Sequence, residues 1–92
     1  MSTSERTRFE LSMLQFLQSE LETGMTFASL ALDGQTEEKR ERNRQNARKA
    51  YDTAKHFLEE RAPEEIATRP DLRDRLTTLR SLLVQLGEKF AE

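Results

Sequence analysis

The chain has 92 residues and a formal net charge of −2, with 35 % apolar and 35 % charged residues. That length sets one domain with a modest interior, and the charge argues against the basic excess of a phosphate-binding protein. With no cysteine there is no disulfide, no thiolate zinc site and no cysteine nucleophile.

The composition is polar for a small monomer, yet too aliphatic and too periodic for disorder. Such a balance accompanies long helices with exposed charged faces. The opening stretch MSTSERTRFE has no apolar run and no cleavage signature, so a signal peptide is not expected. No segment approaches the ~20 apolar residues that span a bilayer. The expectation is a cytoplasmic protein.

The first predicted helix runs from about residue 4 to 32. Ser2 with Glu5 and Thr7 with Glu10 both fit a capping box at its start. At 100° per residue, Phe9, Met13, Phe16, Leu17, Leu21, Phe27, Ala28 and Ala31 share one side, widened by Leu14, Met25 and Leu32. The phase is unbroken across Gly24, which predicts one helix and not two. Gly24 costs about 1 kcal/mol relative to Ala in a helix interior. It lies on the apolar side, where a missing side chain admits another helix closely.

A short connection follows. Gly34 suits the left-handed position after a helix, and Thr36 suits an N-cap. Glu37 and Glu38 then sit where the helix dipole favours negative charge. The next helix, about 36–61, is therefore an antiparallel neighbour of the first.

That second helix begins with TEEKRERNRQN, which holds no apolar residue, and ends with a stripe of Ala47, Ala50, Tyr51, Ala54, Phe57 and Leu58. Extended backwards, the stripe meets Thr36, Arg40, Asn43 and Arg44. Pairing about Gly34 sets Leu21 opposite Ala47, Leu17 opposite Tyr51 and Leu14 opposite Ala54, with Phe9 near Phe57 and Leu58. Large residues then meet small ones, as close packing requires. Toward the turn, Met25, Phe27 and Ala28 face polar partners.

Pro63 and Pro70 bracket a connector over 62–69, with room for one short turn at Glu64 to Ala67. Pro70 is acceptable in a helical first turn. A third helix, about 70–90, carries Leu72, Leu76, Leu79, Leu83, Leu86 and Phe90 at spacings of four and three. Packing inside its own chain is favoured over a coiled coil with another. It is expected to reach only partway toward the turn between the first two helices. The fold class is all-α: an antiparallel hairpin of two long helices plus a third, a three-helix bundle open to completion by dimerisation.

Chemistry is sparse. Residues 36–49 hold six basic and three acidic groups, and Arg40, Arg44 and Arg48 form a row. Glu37 and Glu41 flank it, so a solvated helix laced with Glu–Arg pairs is the favoured reading. His56 stands alone and points away from the stripe. Glu59, Glu60, Glu64 and Glu65 cluster without the alternating oxygen ligands of a calcium loop. Three glycines build no phosphate loop, and no serine sits in a nucleophile turn. Ala47, Tyr51 and Ala54 resemble the small–aromatic–small pattern of a tetratricopeptide second helix. The resemblance covers one helix, and no second copy follows at a ~34-residue period.

The functional expectation is a non-enzymatic protein with no catalytic, cofactor or metal site. It is read as a protein–protein interaction or oligomerisation module, with self-association into a homodimer or a protein partner covering apolar helix surface. Met25, Phe27, Leu30 and Leu32 are the candidate partner-binding residues, with Arg40 and Arg44 beside them. A nucleic-acid-associated regulator using Arg40, Arg44 and Arg48 is the alternative, and a small ligand seated near Gly24 is a third possibility.

Overall fold

The computed structural model describes residues 3–91, which form α1 (Thr3–Leu32), α2 (Glu37–Glu60), α3 (Glu64–Ala67) and α4 (Pro70–Gln85), with no strand among them. The protein is an all-α bundle in which α1 and α2 pack as the antiparallel hairpin and α4 lies along both. At 1.5 Å per residue, α1 alone supplies about 45 Å of a body 52 Å long.

The core forms where the apolar stripes converge. Leu17, Leu21, Leu58, Leu72, Leu79 and Leu83 are the largest fully buried side chains, each stabilising the fold by roughly 1.5–3 kcal/mol through burial. Ala47, Ala50 and Ala54 keep α2 slim against them. Gly24 is buried on α1, and a Cβ built there would lie 2.6 Å from Leu79 Cδ2 and 3.1 Å from Ala50 Cβ. It is where three helices approach most tightly, as its place on the apolar side suggested.

Helix starts and stops refine the expected boundaries. Of the two candidate caps of α1, Ser2 lies outside the described residues. Thr7 lies inside the helix, so it is not a cap. Thr36 does cap α2, accepting a hydrogen bond from the Lys39 backbone N–H at 3.2 Å. Gly34 is not left-handed; among the described residues only Gly87 has positive φ. What Gly34 supplies is room, since a Cβ there would meet Arg40 Cγ at 2.2 Å.

Three features depart from the sequence pattern. Phe57 packs edge-on to Phe16 at 4.9 Å, whereas its expected neighbour Phe9 is 54 % exposed. The first turns of α1, six residues longer than α2, gain too little cover from it. Next, α4 stops at Gln85 instead of continuing to residue 90. Gly87, at φ 96°, donates to the Val84 carbonyl at 3.0 Å, and the Glu88 N–H donates to the Leu83 carbonyl at 2.9 Å. That pair of bonds is a Schellman cap, which turns the chain sharply out of the helix.

Finally, α4 reaches the α1–α2 turn. Gln85 and Leu86 share a groove with Ala31, Leu32, Glu37 and Arg40. At 1.5 Å per residue α4 is only about 24 Å long, against about 36 Å for α2. It arrives because the connector with α3 carries the chain back along the bundle before α4 begins. Ile66 of α3 is buried in the core on that return path.

Candidate functional site

The basic row of α2 is built into the fold by the chain's last turn. Arg44 donates from Nε to Glu41 Oε2 at 3.1 Å and also pairs with Glu88. Arg48 donates to both Asp52 oxygens at 3.0 and 3.2 Å, to Glu88 Oε1 at 3.1 Å and to the Lys89 carbonyl at 3.1 Å. The Glu88 carboxylate, 16 % exposed, thus bridges two arginines one helical turn apart. Phe90 continues this contact. Its ring lies edge-on to Tyr51 at 5.0 Å, with the Arg48 and Arg80 guanidiniums 4.2 and 5.0 Å from its centroid.

Electrostatics follow that geometry. The hydrogen bond from Arg44 holds the exposed Glu41 carboxyl below its ordinary range, with Gln45 assisting. Arg44 is shifted up, first by Glu41 and further by Glu88. For Arg48 partial burial works against the charge, but Asp52 and Glu88 outweigh it and the guanidinium is also shifted up. Arg40, the third of the row, is exposed and lays its stem over Gly34.

The six candidate partner-binding residues do not form one surface. Met25 and Phe27 are half-buried against the core. Met25 and Leu30 line a shallow groove of about 600 Å³ together with Glu22, Asp33 and Arg75. Leu32, Arg40 and Arg44 line a separate groove of about 280 Å³ beside Leu86. Leu30 and Leu32 are each close to half-exposed. His56 is exposed and stacks edge-on to Phe57 at 5.6 Å.

Reading the sequence missed two sets of residues. Phe9, Leu11 and Phe16 are exposed on the far half of α1, although Phe9 and Phe16 lie on its apolar side. Glu88, Phe90 and Arg80 were read as parts of one continuing helix, and Gly87 was the signal that it ends.

Among the described residues no helix is long and apolar enough to cross a membrane. No protein-family model matches the sequence, and no match emerges among curated proteins or solved structures.

Proposed function

We propose that the protein is a non-enzymatic association module that self-associates through the exposed apolar side chains of α1. One observation carries the reading. Of the six exposed large apolar side chains among the described residues, five belong to α1: Phe9, Leu11, Phe16, Leu30 and Leu32. Scattered exposed apolar residues are ordinary, but Phe9 and Phe16 lie seven positions apart on one side of α1, with Leu30 farther along that side, and such an alignment is how an uncovered interface reads.

Size is compatible with a twofold pair. A standard interface takes roughly 800 Å² from each partner, a modest share of this chain's 6406 Å² surface. A twofold arrangement would cover the same α1 residues on both copies at once. The basic row supports a nucleic-acid role less well, because Arg44 and Arg48 are engaged by Glu41, Asp52 and Glu88.

Light scattering across a concentration series tests the proposal, with a Phe9→Glu/Leu11→Glu variant as control. Both residues are more than half-exposed, so the variant should keep its helicity. The parent is expected to be dimeric and the variant monomeric. A parent that stays monomeric throughout would remove the self-association reading, and a variant that dimerises as the parent does would remove the assignment of the interface to this end of α1.

A further inference from the structure

The second surface of interest is independent of the exposed apolar side chains of α1. It lies along the edge where α2 and α4 meet, and its occupant is already in place. After the glycine turn at residue 87, the non-helical residues 88–90 fold back onto Arg44, Arg48, Tyr51 and Arg80. The carboxylate of Glu88 lies between two guanidiniums, and the ring of Phe90 lies among Tyr51, Arg48 and Arg80. Lys89 contributes its backbone carbonyl to Arg48. These contacts require a carboxylate and an aromatic ring two residues apart, on an irregular stretch of chain.

The host side of this recess is supported without its occupant. Arg44 is steadied by Glu41, and Arg48 by Asp52, on the same helix. Tyr51 is part of the buried stripe of α2. The guest side is attached chiefly through its side chains. Beyond the two cap bonds of Gly87 and Glu88, its backbone hydrogen bond is the Lys89 carbonyl, and a Cβ at Gly87 would meet nothing within 4 Å. Segments held by few backbone hydrogen bonds open locally while the helices beneath stay folded. Release would expose guanidiniums and a tyrosine face, a surface matched in charge and shape to what has just left it.

We propose that the Arg44–Arg48–Arg80 recess is a binding site for acidic–aromatic peptide segments, latched in cis by Glu88 and Phe90 and open to a Glu-x-Phe segment of another polypeptide when the latch lifts. A tether this short gives the resident segment an effective concentration in about the millimolar range. An incoming segment therefore competes only where its own chain adds contacts, which makes the latch a threshold against weak partners. The two ion pairs of Glu88 and the two cation–π contacts of Phe90, each at the weak end for such contacts, together correspond to about tenfold in affinity.

The test uses the full chain with Glu88→Gln and Phe90→Ala, compared with the parent. The probe is the peptide acetyl-Gly-Glu-Lys-Phe-Ala-amide, titrated against isotope-labelled protein while the Nε–H signals of Arg44, Arg48 and Arg80 are followed by NMR. The variant is expected to bind the peptide on the order of tenfold more tightly than the parent does. A control peptide with Gln for Glu and Ala for Phe should leave the three arginine signals in place. Equal binding by parent and variant would overturn the proposal, as would no movement of those signals in the variant at millimolar peptide. Stronger shifts with a single-stranded oligonucleotide than with the peptide would also overturn it, by reassigning the recess to phosphate. If the double variant loses helicity, Glu88→Gln alone, with Phe90 retained, is judged by the same outcomes.

Discussion

Replacing Gly24 by Ala tests the packing of the bundle at its tightest point. In an exposed helix interior the change would stabilise the protein by about 1 kcal/mol. Here the new methyl would lie 2.6 Å from Leu79 Cδ2 and 3.1 Å from Ala50 Cβ, whereas carbon atoms prefer a separation of about 3.5–4.0 Å. Leu79 is fully buried, so the methyl has to be accommodated within the core. Forcing an extra carbon into a packed core costs about 1–3 kcal/mol, so the net effect should lie between zero and about 2 kcal/mol of destabilisation. The background Leu79→Ala changes the sign. It costs about 2–5 kcal/mol by itself, within the roughly 5–14 kcal/mol expected of a domain of this size. With both Leu79 methyls gone only the 3.1 Å approach to Ala50 Cβ remains, and Gly24→Ala should stabilise by up to about 1 kcal/mol, worth at most about 4–8 °C in Tm. Urea unfolding followed by helical circular dichroism on the parent, both single variants and the double variant closes the cycle. Gly24→Ala stabilising the parent by its full propensity gain would refute the reasoning. So would a coupling to Leu79 below about 0.5 kcal/mol.

Two further outcomes are expected. Gly87→Ala places an ordinary residue at φ 96° with no clash at its Cβ, so the loss of stability should be the backbone penalty alone, about 1–2 kcal/mol, and larger for Gly87→Val than for Gly87→Asn in denaturant titrations. Glu41 and Asp71 are held below their ordinary values by Arg44 and Arg69 respectively. Carboxyls depressed in the fold stabilise it above their unfolded pKa, and that stability disappears as pH falls through the folded values. The Tm should therefore drop on acidification below the ordinary carboxylate range, and less steeply for Glu41→Gln/Asp71→Asn; equal slopes would show that these pairs do not contribute.

Most of the fold was legible in local pattern. The stripe of α2 from Ala47 to Leu58 is buried almost as its spacing implied, and Thr36 caps the helix whose start it marked. The connector's short helical turn and the N-terminal proline of α4 were likewise readable from proline placement. The candidate site was less legible. Leu30 and Leu32 are exposed as required of a docking surface, but Met25 and Phe27 turn partly into the core. An apolar residue on a wide stripe carries no mark of which neighbour will cover it. Within the polar opening of α2, Arg44 found its partner 44 residues away in Glu88, which also pairs with Arg48 just beyond that opening.

The two glycines at 24 and 87 divide what sequence determines from what the tertiary structure decides. Each lies within a continuing apolar periodicity, and each would cost a helix interior about 1 kcal/mol. Helical propensity and the hydrophobic repeat are local, so they established that helices form and which faces they bury. They could not distinguish the two positions. At Gly24 the helix continues because Leu79 and Ala50 fill the space that a side chain would occupy. At Gly87 it ends because leaving the helix lets Glu88 reach Arg44 and Arg48 and lets Phe90 reach Tyr51. Those contacts join residues dozens of positions apart, and only the assembled bundle brings them within reach.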